Sequence, residues 1–196
     1  WYPASLTKLM TAYIAFSQMK AGKLSPQTEV VMSKKAADQP ASKMYFKPGQ
    51  KLTMDSALKL LLIKSANDIA VAIAETIGGT SDNFVAQMNA QAQRLGMSST
   101  RYVNANGLPG KGQYTTARDL ALLALIIKRE FPEYAHYFSL EGVSTGKKNY
   151  ANFNMLVGRF EGADGMKTGF ICASRFNQVS SALRNGRSVI TVVLGA

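Results

Sequence analysis

The chain has 196 residues, of which 46% are hydrophobic and 18% charged, which is the composition of a folded globular protein and excludes disorder. Its formal net charge of +11 favours an anionic partner, but the basic residues are scattered and match no nucleic-acid-binding signature. Cys172 is the only cysteine and His136 the only histidine, so an internal disulfide is excluded and a zinc site is implausible.

The sequence also argues against two further classes of protein, those that span a membrane and the Ser-His-Asp enzymes. No run of about 18 apolar residues is present, so we predict no transmembrane segment, and no secretory signal peptide is visible. His136 has no serine motif near it, which argues against a Ser-His-Asp enzyme. A serine enzyme with this composition therefore needs a lysine as its base.

The first half of the chain alternates helical and extended patterns. Apolar residues at helical spacing predict a helix over residues 5–20, which ends before Gly22. Residues 28–54 are rich in strand and loop signals, with strands predicted at about 29–32 and 44–46. Apolar patterns then predict helices over about 55–64, 68–77 and 81–95.

The second half begins with a long turn over residues 104–110 and a helix over about 117–130 that Thr116 caps. Strands follow at about 165–172, 177–183 and 188–194, and Asn185-Gly186 predicts a hairpin between the last two. We therefore predict an α/β protein of the α+β type, with an antiparallel sheet covered by helices. A helical subdomain is expected over about 25–160 and the sheet strands over about 164–196, within a single domain of residues 1–196.

The first of three short motifs is a Ser-x-x-Lys pair at Ser5 and Lys8. This pattern occurs four times in the chain, but only Ser5 stands at a predicted helix start with a long apolar helix behind it. The spacing puts Lys8 on the same helix face as Ser5, and the helix N-terminus favours a developing anion there. The alternative for Ser5 is a plain helix-capping serine.

The second motif has two candidate locations. Ser81-Asp82-Asn83 follows a glycine pair at the start of a predicted helix, where helix capping explains it. Ser65-Ala66-Asn67 instead lies at a break between two apolar helices, where polar side chains can face a cleft. We therefore select Ser65 and Asn67, with an interhelical cap as the alternative.

The third motif is the most specific. Lys167-Thr168-Gly169 occurs once, on a predicted strand near the end of the sequence. A glycine within a strand is costly unless another backbone must come close, and a substrate peptide along the strand edge would be such a backbone.

In this order, the three motifs resemble the set found in penicillin-binding proteins and class A β-lactamases, whose middle motif is Ser-Asp-Asn. The whole chain resembles the low-molecular-mass penicillin-binding proteins, which are serine-type D-alanyl-D-alanine carboxypeptidases with the β-lactamase/transpeptidase-like fold.

The resemblance implies roles for seven motif residues and Phe170. Ser5 is the nucleophile, Lys8 its base and Ser65 a proton relay. Asn67, Lys167, Thr168 and Gly169 bind substrate, and the backbone N–H groups of Ser5 and Phe170 form the oxyanion hole. The resemblance also places Ser65 Oγ between the two lysine amines.

The resemblance further implies a peptidoglycan pentapeptide as substrate, β-lactams as inhibitors, no metal or organic cofactor, and a location in the bacterial periplasm or cell envelope. It also implies that the chain is a core segment lacking the family's N-terminal strands. The alternatives are a β-lactamase or D,D-endopeptidase of the same fold and a non-catalytic peptidoglycan-binding module. A β-lactamase would need a water-activating glutamate, for which Glu141 and Glu161 are the candidates. Arg175 departs from the family, in which a small residue often follows this strand.

Overall fold

The computed structural model describes residues 1–146 and 148–196. A 3₁₀ turn, Ala4–Thr7, leads into helix α1, Lys8–Lys20, so the predicted first helix is confirmed with a tighter opening turn. Most α1 side chains are buried, because the helix runs through the core with apolar residues on every face. The N-terminal motif is therefore held by the most buried helix of the described chain.

Residues 1–146 and 148–196 form six further α-helices, of which α4, α5 and α6 pack against α1. Their positions agree with the four predicted helices to within a few residues and add two short ones. The helices are α2, Lys34–Ala37; α3, Met54–Lys59; α4, Asn67–Gly78; α5, Ser81–Arg94; α6, Ala117–Glu130; and α7, His136–Ser139. Thr116 caps α6 as predicted, because its hydroxyl accepts the backbone N–H of Asp119.

A three-stranded antiparallel sheet closes the chain. Its strands are β5, Ala163–Ile171; β6, Arg175–Arg184; and β7, Arg187–Leu194, in the order β5-β6-β7. Asn185 and Gly186 join β6 to β7 with φ values of 49° and 74°, which confirms the predicted hairpin. Two smaller antiparallel pairs precede this sheet: β1, Glu29–Val31, with β2, Lys51–Thr53, and β3, Gly142–Thr145, with β4, Lys148–Ala151.

The mixture of helices with an antiparallel sheet confirms the predicted α+β class. The strand predicted at residues 44–46 is wrong. The backbone N–H groups of Met44 and Tyr45 donate to the buried carboxylate of Asp68 rather than to a neighbouring strand, and Tyr45 has a φ of 63°. The local sequence has strand propensity, but a long-range side-chain acceptor determines the conformation.

No helix within residues 1–146 and 148–196 combines the length and the apolarity that crossing a membrane requires.

Candidate active site

The three sequence motifs lie at three different elements and meet at one end of α1. Ser5 belongs to the 3₁₀ turn before α1, Ser65 follows the π-helical turn Leu60–Lys64, and Lys167 lies in the middle of β5. Ser65 has a φ of 60°, a left-handed conformation that is strained for a serine and turns the chain sharply between α3 and α4. Backbone strain of this kind is concentrated at functional sites.

Lys8 has a fully buried side chain whose amine contacts three oxygen atoms. Lys8 Nζ lies 2.8 Å from Ser5 Oγ, 2.8 Å from Asn67 Oδ1 and 2.7 Å from the carbonyl oxygen of Asn106. The amide and carbonyl oxygens can only accept hydrogen bonds, whereas the serine hydroxyl can also donate. A neutral amine has two N–H groups for these two acceptors and keeps one lone pair for the Ser5 proton.

The electrostatics of the site favour that neutral form. Burial, with the nearby charge of Lys167 as the second cause, holds the pKa of Lys8 well below its usual value, although the carboxylate of Asp68 opposes the shift. Burial also lowers the pKa of Lys167 to about 7. Lys167 can therefore exchange protons near neutral pH, and the lowered pKa of Lys8 favours its neutral amine more than in an exposed lysine.

The second amine contacts the second motif. Lys167 Nζ donates to Ser65 Oγ at 2.9 Å and to the carbonyl oxygen of Thr168 at 2.8 Å. Of the two amine contacts expected for the Ser65 hydroxyl, the structure shows the one with Lys167. The three hydrogen bonds of Lys8 go to other residues. Ser65 is thus linked to the third motif and Asn67 to the first.

Strand β5 comes close to the 3₁₀ turn before α1 at Gly169. A Cβ atom added at this glycine would lie 3.0 Å from the backbone nitrogen of Ser5 and 3.2 Å from that of Leu6. The glycine therefore permits a close approach of two backbones, as its position within a strand predicts. This approach sets the β5 backbone, including Phe170, beside the nucleophile.

The loop over residues 104–110 contributes a contact that the sequence analysis did not assign. The carbonyl oxygen of Asn106 accepts from Lys8, and the Asn104 and Asn106 side chains hold the loop by accepting the backbone N–H groups of Gly107 and Leu108. Gly107 has a φ of 87°, and a Cβ there would lie 1.8 Å from the carbonyl oxygen of Ala4. The signal was the cluster of asparagine and glycine, which predicts a turn without identifying its contact.

The literal Ser-Asp-Asn triplet is part of a helix terminus. Thr80 caps α5 by accepting the backbone N–H of Asn83, and the Ser81 hydroxyl donates to Glu75. Helix capping therefore accounts for this triplet, with Thr80 rather than Ser81 as the capping residue.

A cleft of about 740 Å³ opens at the nucleophile. It is lined by motif side chains, by the Asn106-Gly107 loop and by a series of apolar residues from the segment before β5 and from the sheet. Among the described residues, no acidic side chain lines it.

Glu161 pairs with Arg184 and is largely exposed, and Glu141 packs beside Gly158, so neither is placed to activate water in the cleft. Arg175 also lies outside the lining, at the first position of β6 opposite Ile171, with a φ of 54°.

The chain matches a known enzyme family along its entire length. The model of the D-alanyl-D-alanine carboxypeptidase family, peptidase family S11, covers residues 1–196. The carboxypeptidase DacC of Escherichia coli is 34% identical over 201 residues, which cover 99% of this chain and 50% of that protein. DacF of Bacillus subtilis is 34% identical over 99% of this chain and 51% of its own. The chain thus spans about half the length of these curated relatives.

Solved structures agree with this match. The carboxypeptidase DacD of Francisella tularensis superposes with a TM-score of 0.95 at 36% identity, over 100% of this chain and 60% of that one. Penicillin-binding protein D2 of Listeria monocytogenes, solved in its ampicillin-bound form, gives 0.87 at 32% identity, over 98% and 79%. These structures confirm the transpeptidase-like fold expected from the motifs. The chain therefore belongs to the D-alanyl-D-alanine carboxypeptidase family of serine peptidases.

Proposed function

We propose that this chain is the catalytic core of a serine D,D-carboxypeptidase that hydrolyses the terminal D-Ala-D-Ala bond of peptidoglycan stem peptides. The observation that carries the proposal is the buried amine of Lys8, 2.8 Å from Ser5 Oγ and paired with two oxygens that can only accept. This arrangement supplies an activated serine without a histidine. It also supports treating residues 1–196 as one catalytic unit, because the motifs that form the site come from both ends of the chain.

In the first half-reaction, Ser5 Oγ attacks the carbonyl carbon of the penultimate D-alanine and Lys8 takes the hydroxyl proton. The C–N bond then breaks, and the leaving amine receives a proton from Ser65, which regains one from Lys167, its donor at 2.9 Å. In the second half-reaction, water attacks the ester and its proton returns to Lys167 through Ser65. Lys8 returns its proton to Ser5, so both lysines end as they began.

Substrate binding follows from the remaining motif residues. Protonated Lys167 and the Thr168 hydroxyl would hold the terminal carboxylate, and the Asn67 amide would bind the amide on the acyl side. The backbone N–H groups of Ser5 and Phe170 would stabilise the tetrahedral oxyanion, a role supported by the close approach of β5 at Gly169. The chain's own residues supply every proton transfer in this scheme.

Penicillins would acylate Ser5 as mimics of the same substrate. This part of the proposal is supported by relatives named penicillin-binding proteins and by the ampicillin-bound form of the Listeria monocytogenes protein. Because peptidoglycan lies outside the cytoplasmic membrane, we place the enzyme in the periplasm or cell envelope.

Two separate assays test the proposal: reaction with labelled benzylpenicillin, and cleavage of a peptide that ends in D-Ala-D-Ala. We expect a stable adduct on Ser5 and release of D-alanine, both lost in Ser5→Ala. Ser17→Ala is the matched control, because Ser17 belongs to a second Ser-x-x-Lys pair, within helix α1. Rapid penicillin turnover would instead identify a β-lactamase. Cleavage of crosslinked peptides alone would identify an endopeptidase. Binding without either adduct or cleavage would identify a non-catalytic module.

A further inference from the structure

A turn over residues 152–156 lies beside the site but takes no part in the proposed chemistry. Its central residue, Asn154, is 1% exposed, and its side-chain amide is hydrogen-bonded at both ends. Asn154 Nδ2 donates to the carbonyl oxygen of Gly165 at 2.8 Å, and Oδ1 accepts from the Leu156 backbone N–H at 3.2 Å and from Gln178 Nε2 at 3.1 Å. Because a carbonyl only accepts and a backbone N–H only donates, the orientation of this amide is fixed. Asn154 thus links the turn to strands β5 and β6.

The same turn is attached to the segment that carries the second motif. The backbone N–H of Phe153 donates to the carbonyl oxygen of Ile63 at 3.3 Å. The ring of Phe153 also packs under the ammonium of Lys64, 4.7 Å from the ring centroid. The turn therefore holds the two residues that lead directly into Ser65.

These two attachments lie on either side of the hydrogen bond between the motifs. Ile63 stands two residues before Ser65, Gly165 stands two residues before Lys167, and Lys167 Nζ donates to Ser65 Oγ at 2.9 Å. The contacts form a closed ring through the turn, the second motif and β5. Because Gly165 is buried, its carbonyl oxygen would lack a donor without Asn154, and the start of β5 would have to shift to regain one.

We propose that Asn154 is a positioning residue that sets the distance between the Ser65 hydroxyl and the Lys167 ammonium for protonation of the leaving amine. The proposal rests on the proposed function, in which the electrons of the C–N bond pass to the leaving nitrogen, Ser65 gives that nitrogen a proton and Lys167 restores the proton to Ser65. Asn154 is not among the described residues that line the cleft, so it acts through these two side chains. A displacement of about 1 Å in such an arrangement can cost about a hundredfold in rate.

Two substrates with the same acyl part separate this role from a general effect on the fold. One is a peptide that ends in D-Ala-D-Ala, and the other is its thioester, in which D-2-mercaptopropionate replaces the terminal D-alanine. Both keep the terminal carboxylate. The amide nitrogen must receive a proton to leave, whereas the electrons of the C–S bond leave on sulfur as a thiolate, because a thiol has a pKa of only about 8.5. The comparison uses kcat/KM, which does not include hydrolysis of the shared acyl-enzyme.

The variant is Asn154→Ser, whose hydroxyl can accept the Leu156 N–H within the turn but is too short to reach the Gly165 carbonyl. We expect kcat/KM to fall by about tenfold to a hundredfold for the amide and by about threefold or less for the thioester. The matched control is Asn152→Ser, which keeps an acceptor for the Asn154 N–H and removes a donation to the Leu140 carbonyl oxygen from the same turn. In the control, the ratio of the two kcat/KM values should stay within about twofold of the native ratio.

Equal losses for the amide and the thioester in Asn154→Ser would overturn the inference alone, and so would an unchanged rate with the amide. If circular dichroism shows that this variant does not fold, Asn154→Asp gives the same comparison, because it keeps the length of the side chain and loses the N–H that reaches Gly165. Failure of the amide, the thioester and penicillin to react with Ser5 in the native protein would remove the proposed function and the inference together.

Discussion

Replacing Lys167 by methionine should change the sign of its effect on stability as the pH rises. Lys167 is 1% exposed, and its pKa is lowered from 10.5 to about 7, mainly because burial disfavours the charged amine. The unfolded chain therefore binds more protons than the folded one over this interval, and the free energy of unfolding rises with pH through it. This residue thus destabilises the fold at low pH and stops doing so above its unfolded pKa.

The magnitude follows from the two pKa values. Lowering the pKa from 10.5 to about 7 corresponds to about 5 kcal/mol of destabilisation at pH values below 7. Lys167→Met removes this cost but leaves the Ser65 hydroxyl and the Thr168 carbonyl without their donor, at a cost of about 2 kcal/mol. We expect the variant to be more stable than the native protein by about 3 kcal/mol at about pH 6 and less stable by about 1 to 2 kcal/mol at about pH 10.

The two stability curves should cross at about pH 9, where the remaining cost of burying the charged amine equals the cost of the lost hydrogen bonds. Lys8 strengthens the effect at low pH, because its pKa is lowered in part by the charge of Lys167. The assay is urea unfolding of both proteins at several pH values. The control is Lys35→Met, at an exposed position on α2. Its free energy of unfolding should change with pH in parallel with that of the native protein. Parallel curves for Lys167→Met would refute the reasoning.

Three other predictions address catalysis and the support of β5. Gly169→Ala should lower the acylation rate of Ser5 by about tenfold to a hundredfold, because a Cβ 3.0 Å from the Ser5 nitrogen displaces the nucleophile's backbone. Gly142→Ala, which would meet a carbonyl at 2.8 Å in the β3–β4 hairpin, should affect stability without this selective loss. The carboxypeptidase kcat/KM should fall above about pH 7 as Lys167 loses its charge; a rate that rises through pH 9 would contradict this. Asp164→Asn, which weakens the contacts of β5 with Lys128 and Ser181, should lower the Tm by about 2 to 8 °C in a thermal melt; an unchanged Tm would contradict it.

Local signals in the sequence were sufficient for most of the fold. The helices over residues 81–95 and 117–130 have strong periodicity and capping threonines, and the Asn185-Gly186 turn fixes its hairpin through residues that accept positive φ. Residues 44–46 could not be predicted in the same way. Their backbone donors are satisfied by Asp68, more than twenty positions away in the chain.

By itself, the sequence determined the identities and order of the motif residues that carry the proposed chemistry, and the composition limited the base to a lysine. Only the tertiary structure decided which atoms meet. The Asn106 carbonyl on Lys8, the donation from Lys167 to Ser65 and the approach of β5 at Gly169 all join segments far apart in the chain. The physical reason is that the lowered pKa of each amine depends on burial, and that of Lys8 also on the charge of Lys167, and both exist only once the helices and the sheet have packed around them.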